Sequence, residues 1–127
     1  MKFKMLHTCI RVMDLEKSLK FYKEALGLIE TRRSDFPENK FTLVFLADED
    51  KNYEIEITYN YDPEEAYVIG NGFSHFALGV VDLEGSRDRH IKMGYEVTKL
   101  MGLPGSEPKY YFLNDPDGYE IEIIRMK

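Results

Sequence analysis

The sequence predicts an α+β fold made of two βαβββ modules, and three observations carry that reading. The pentapeptide YEIEI occurs twice, at Tyr53–Ile57 and at Tyr119–Ile123. A longer match precedes it: "HTCIRVMDLEKS" from His7 lies over "HFALGVVDLEGS" from His75. The offset is 68 residues there, 67 at Gly27 and Gly94, and 66 at the two YEIEI copies. Such small length differences are what surface loops absorb between two copies of one unit. The third observation is that apolar periodicity runs through the same order of elements in both halves.

In the first half, Met5 to Val12 is apolar and rich in β-formers, hence a strand. Asp14 is a good N-cap; Leu15, Leu19, Tyr22 and Leu26 follow at helical spacing, and Gly27 ends the run. Leu28 to Arg33, Phe41 to Ala47 and Tyr53 to Asn60 read as strands, with turn residues Asp35, Pro37, Asn39 and the stretch 48–52 between them. In the second half, Phe73 to Val80 is a strand. Asp82 to Met93 is a helix capped by Asp82 and stopped by Gly94. Tyr95 to Leu100, Tyr110 to Asn114 and Tyr119 to Arg125 are strands, and Asp115-Pro116-Asp117-Gly118 is a strong hairpin signal. The expected organisation is one domain over 1–127: modules 1–61 and 72–127, joined by a linker, 62–71, rich in Asp, Glu, Pro and Gly.

Composition narrows the function classes. With 127 residues, 43% apolar and 31% charged, the chain reads as an ordinary soluble globular protein. A net charge of −6 argues against nucleic acid, whose phosphates need a basic patch. The longest apolar runs, such as 43–47, are too short to span a membrane. No signal peptide is read at the N-terminus. The single cysteine, Cys9, cannot form an internal disulfide, which fits a reducing cytoplasm.

The repeated residues carry chemistry. Period two puts Glu54 and Glu56 on one strand face and Ile55 and Ile57 on the other. The same holds for Glu120 and Glu122. His7 and His75 begin the first strand of each module. A pseudo-twofold axis would bring two histidines and two glutamates together, a set suited to Zn, Ni, Co or Fe(II). The competing reading is a solvated face of an antiparallel sheet. The repeat favours the ligand reading, because solvation alone does not require the same residue types at matching places. Periodicity does not choose between the two glutamates of each pair. His90, in the second helix, has Tyr22 at its matching position and receives no role.

Four segments in order, "LHTCIRVMDLEKSLKFYKEALGL", "EIEITYN", "GFSHFALGV" and "NDPDGYEIEI", resemble glyoxalase I (lactoylglutathione lyase) of the vicinal oxygen chelate superfamily. The resemblance implies an open barrel of two βαβββ modules. It also implies one divalent metal per site, held by His7, Glu56, His75 and Glu122, thereby picking the second glutamate of each pair. Ni(II) or Co(II) is favoured on the short chain length, with Zn(II) as the alternative. The implied reaction is isomerisation of the methylglyoxal–glutathione hemithioacetal to S-D-lactoylglutathione. Glu122 is the stronger base, and Glu56 handles the proton on the other face. Arg11 and Asn60 match the residues that hold the glutamyl end of glutathione. One departure stands out: Asn71 lies where longer eukaryotic-type forms carry a further arginine. Lys99 and Lys109 remain alternatives for a later positive contact. A homodimer is expected, with a small molecule as substrate and neither nucleic acid nor membrane as partner. The alternatives are another enzyme of the superfamily (epimerase, dioxygenase or thiol transferase) or a metal-free small-molecule binding protein. Two carboxylates argue against a dioxygenase, which needs a 2-His-1-carboxylate site.

Overall fold

A computed structural model describes residues 1–127. The chain divides into two units, Met1–Val68 and Ile69–Lys127, each with its own sheet. The division falls in a stretch free of helix and strand between Asn60 and His75.

The first unit contains β1 (His7–Arg11), α1 (Leu15–Leu26), β2 (Ile29–Phe36), β3 (Phe41–Ala47) and β4 (Glu54–Asn60). Its sheet has the order β1-β4-β3-β2, with β1 parallel to β4 and the other pairs antiparallel. Asp14 caps α1 by accepting from the Lys17 amide at 3.1 Å. Gly27 closes the helix at φ 68°, a left-handed conformation that glycine adopts without a Cβ penalty. The helix buries Ser18, Phe21, Tyr22 and Ala25. On the sheet, Ile10, Val44, Leu46, Ile55 and Ile57 are buried. Ladder register puts these five on one face, opposite Glu54 and Glu56. Each such fully buried aliphatic side chain contributes about 1.5–3 kcal/mol, which fixes the strand register against a one-residue slip. One expected turn residue is a strand residue: Asp35 lies in β2, where its carboxylate accepts from the Thr42 hydroxyl at 2.7 Å across the ladder. The turn itself begins at Pro37, with the Asn39 amide donating to the Phe36 carbonyl.

The second unit contains β5 (His75–Val80), α2 (Leu83–Lys92), β6 (Tyr110–Asn114) and β7 (Glu120–Arg125), with sheet order β5-β7-β6. Asp82 caps α2 through the Gly85 amide at 2.9 Å. The expected strand over 95–100 is reduced to isolated bridges, Val97 with Leu113 and Met101 with Tyr110. Its ladder is diverted by side chains. The Phe112 amide donates to the Thr98 hydroxyl at 2.9 Å. The Thr98 carbonyl accepts from Arg87 Nε at 2.7 Å. A threonine and an arginine thus take the partners that a regular strand would use. His90 is buried in the core of this unit, its Nδ1 2.7 Å from the Tyr111 hydroxyl. It is a satisfied core histidine. The hairpin at Asp115 forms as expected: its carboxylate accepts from the Asp117 and Tyr119 amides, and Gly118 sits at φ 92°.

Candidate metal and substrate site

Each unit presents one histidine–glutamate pair on the sheet face opposite its buried isoleucines. His7 Nε2 lies 3.2 Å from Glu56 Oε1. His75 Nε2 lies 3.2 Å from Glu122 Oε1. The parallel pairing of the first and last strand of each unit brings the two together. Cys9 is the register partner of Glu56 and Ala77 that of Glu122, so each histidine sits one pleat away from its glutamate on the same face.

The structure distinguishes the two glutamates of the first pair. Glu54 accepts from the Thr31 hydroxyl and, at 3.2 Å, from Arg32 Nη2. These two donors hold its carboxyl below the usual carboxylate range, the Thr31 hydrogen bond first. Arg32 also stacks over the Phe45 ring at 3.6 Å. Glu54 is therefore committed to its own unit, whereas Glu56 faces the histidine.

Two phenylalanines complete the repeat. His7 meets the edge of Phe45, with ring centroids 5.6 Å apart and planes at 85°. His75 meets Phe112 at 5.1 Å and 80°. Phe45 and Phe112 are the register partners of Glu56 and Glu122, so each packs beside both members of its pair. Sequence reading passed over them, although "FLAD" from Phe45 and "FLND" from Phe112 repeat at the offset of 67. Ser74 was also passed over. Its hydroxyl lies 2.7 Å from His75 Nδ1. With the hydrogen on Nδ1 donated to Ser74 Oγ, Nε2 presents its lone pair on the side of Glu122.

The other candidates are less tightly gathered. Arg11 is exposed and shares the strand face of His7 and Cys9 by period. Cys9 is exposed, its sulfur 3.2 Å from the Thr58 hydroxyl. Asn60 donates to the Tyr67 hydroxyl at 3.1 Å. Asn71 lines a cavity in the second unit with Ser74 and Glu120.

The donor set suits a divalent metal. Imidazole nitrogen and carboxylate oxygen bind such ions at about 2.0–2.2 Å, which places adjacent donors about 3.0–3.4 Å apart. The 3.2 Å separation in each pair is compatible with that spacing and is also that of an ordinary histidine–glutamate hydrogen bond. Each pair supplies two donors, and no group of three or more His, Cys, Asp or Glu side chains that could hold a metal comes together.

Comparison with known proteins gives the family and the fold. A probable lactoylglutathione lyase of Synechocystis is 42% identical over 95% of this chain and 94% of its own length. Glyoxalase I of Zea mays superposes with a TM-score of 0.88 at 36% identity over 97% of this chain, which spans 44% of the maize chain. The trypanothione-dependent glyoxalase I of Leishmania major gives 0.83 at 37% identity, over 98% of this chain and 87% of that one. A family model described as the glyoxalase/bleomycin resistance protein/dioxygenase superfamily matches residues 4–123. The chain belongs to that superfamily and has its α+β fold.

Proposed function

We propose that the chain is a lactoylglutathione lyase, a metal-dependent glyoxalase I that detoxifies methylglyoxal. The observation that carries the reading is the duplicated histidine–glutamate pair, with the same 3.2 Å spacing in each unit. The names of full-length relatives at about 40% identity support it.

His7, Glu56, His75 and Glu122 are the residues that would hold one divalent ion. When bound, the ion supplies Lewis acidity that acidifies the reacting C–H and offsets the charge developing on the substrate oxygens. The rest falls to the chain's own groups. The hemithioacetal carries a proton on the carbon bonded to sulfur, beside a ketone. The Glu122 carboxylate takes that proton as a general base and returns it to the neighbouring carbon. The hemithioacetal hydroxyl gives up its proton and the former ketone oxygen gains one, so that the ketone oxygen ends as a hydroxyl and the former hemithioacetal carbon becomes the thioester carbonyl. Electrons and atoms balance within the one molecule, so neither redox partner nor water is consumed. Glu56 takes the equivalent role when the hemithioacetal presents its carbon-bound proton on the opposite face. Arg11 offers a guanidinium fork to a substrate carboxylate, and Asn60 offers an amide as a hydrogen-bonding group.

The two histidines and two carboxylates would supply four ligands, and an ion that readily accepts two further oxygen ligands, Ni(II) or Co(II), would be favoured over Zn(II). The working unit is a homodimer in the cytoplasm, with a sedimentation mass near twice 14.9 kDa. The deciding experiment loads apo-protein with each ion and follows thioester formation from methylglyoxal plus glutathione. Turnover is expected with Ni(II) and Co(II). Absence of turnover with every ion sinks the reading, and full activity confined to Zn(II) overturns the metal preference.

A further inference from the structure

The first unit contains a β-bulge that the second lacks, and it reaches toward the histidine–glutamate pair. Along β2, Glu30 is the register partner of Leu46 and Arg32 that of Phe45, so Thr31 is an extra residue in the ladder. Leu46 lies on the buried face of the sheet and Phe45 on the face of Glu56. A regular strand would put Glu30 and Arg32 on one face. The bulge instead brings Arg32 to the face of Phe45 and aims Thr31 the same way. Both side chains converge on one carboxylate. The Thr31 hydroxyl donates to Glu54 Oε2, and Arg32 Nη2 donates to Glu54 Oε1 at 3.2 Å. The guanidinium is held in turn over the ring of Phe45, the ring that meets His7.

The register shows why this carboxylate needs holding. Directly opposite His7 in the ladder stands Glu54, not Glu56. Glu54 is half-buried on the same face, yet the histidine pairs with Glu56 and Glu54 pairs with Arg32. A half-buried carboxylate must find donors, because leaving it unpaired carries a desolvation cost. Released from Thr31 and Arg32, Glu54 would be a third ligating side chain beside His7 and Glu56 in one unit. The second unit treats its copy differently. Glu120 stands opposite His75 but is exposed, so water solvates it. Thr98, which matches Thr31, accepts from the Phe112 amide and donates to the Lys99 carbonyl. Lys99, which matches Arg32, forms none of the ion pairs in the molecule.

We propose that the bulge at Thr31 withholds Glu54 from the bound ion, with Thr31 and Arg32 as positioning residues that leave the first unit's half of the site to His7 and Glu56 alone. The proposal rests on the metal-dependent lyase reading for the existence of that ion. A further carboxylate on the ion would fill a position that a catalytic site keeps open. Releasing Glu54 therefore tightens ion binding and slows turnover together. Loss of an ordinary structural contact would weaken both.

The test uses the full chain with Co(II), whose visible absorption reports the ligands around the ion. Thr31→Val combined with Arg32→Gln should tighten Co(II) several-fold in a competitive chelator titration and alter its visible spectrum. The same variant should lose roughly 10-fold or more in kcat. Adding Glu54→Gln should return affinity, spectrum and kcat toward wild type, and Glu54→Gln alone should change little. Arg32→Lys, which keeps a cation near Phe45, should shift all three in the same direction by less. Circular dichroism checks the fold of each variant, and the milder Lys variant carries the test if the double variant does not fold. Weaker Co(II) binding on removing the two donors, an unchanged spectrum, or a loss of kcat that Glu54→Gln does not restore overturns the proposal. Each of these leaves the lyase reading standing when the wild-type chain turns over. Co(II) binding that responds to Glu54 as expected, without turnover by any metal-loaded form, removes the lyase reading and leaves the role of the bulge. No Co(II) binding by the wild-type chain removes both.

Discussion

The site faces of the two units share a core of three residues and little else. Histidine, glutamate and phenylalanine recur with nearly the same geometry: 3.2 Å in both His–Glu pairs, and edge contacts of 5.6 and 5.1 Å. Around them the matching positions part company. Leu6 in the first unit is Ser74 in the second, Cys9 is Ala77, Arg11 is Gly79, Thr58 is Ile124, and Asn60 is Met126. A Cβ at Gly79 would come within 2.4 Å of the Met126 sulfur, so the second unit lays an apolar side chain where the first offers a guanidinium. On the proposed reading, ion binding calls for the same donors from each repeat and an asymmetric substrate calls for different walls, and the repeats differ at the positions around the pairs.

The largest effect is expected from the one asymmetry that the shared core hides. Glu122→Gln should lower kcat by roughly 10²–10⁴-fold, because an amide cannot accept the carbon-bound proton. Glu56→Gln should cost less. Rates are compared at matched metal content, measured by atomic absorption. Near wild-type kcat in the Glu122 variant, with the loss appearing at Glu56, would exchange the roles of the two units.

Ser74 breaks the symmetry of the histidines. On the proposed reading of His75 as a metal ligand, a hydroxyl that accepts from Nδ1 would be worth roughly 10–100-fold in metal affinity. Ser74→Ala should weaken metal binding by that order in a competitive chelator titration, whereas Leu6→Ala should leave it nearly unchanged. Equal losses in both would mean that the hydroxyl contributes nothing beyond local packing. Arg11 supplies the next step down. Arg11→Gln should raise KM for the glutathione hemithioacetal on the order of 10-fold with kcat little altered, the pattern of lost uniform binding. A fall in kcat at constant KM would move Arg11 from substrate binding into the chemistry.

Much of this arrangement was legible in the sequence, and the exceptions have physical causes. The helices were marked by local rules, since Asp14, Asp82 and Gly27 act through backbone groups a few residues away. The histidines and the two glutamate pairs stood out because a repeat displays them twice. Periodicity left Glu54 and Glu56 equivalent. What separates them is Thr31 and Arg32 on β2, a strand not adjacent to β4 in the sheet and more than twenty residues away in sequence. Such a partner has no local signature. The segment 95–100 misled for the related reason that its strand pattern is genuine, while Arg87 on α2 draws off the carbonyl of Thr98. Phe45 and Phe112 were within reach, because their repeat is as regular as that of the histidines.

The smallest expected effect lies outside the site and tests whether the repeats also differ in how they are braced. In the second unit Arg125, at the end of β7, forms a fork with Glu84 in the first turn of α2, at 2.9 and 2.5 Å. The matching residues of the first unit are Tyr59 and Glu16, which cannot form such a pair. The guanidinium holds the Glu84 carboxyl down from 4.5 to about 2. A depressed carboxyl pKa contributes stability above its unfolded value, and that contribution is lost as pH falls from about 4.5 through about 2. Both groups are solvent-exposed, so the contribution is small and screened by salt. The Tm of Glu84→Gln should fall slightly below wild type at neutral pH. The gap should shrink in high salt and close on acidification toward pH 2. Glu16→Gln, its counterpart in the first unit, should show no comparable closing. A gap for Glu84→Gln that persists unchanged through acid would mean that the side chain braces β7 against α2 by packing rather than by charge.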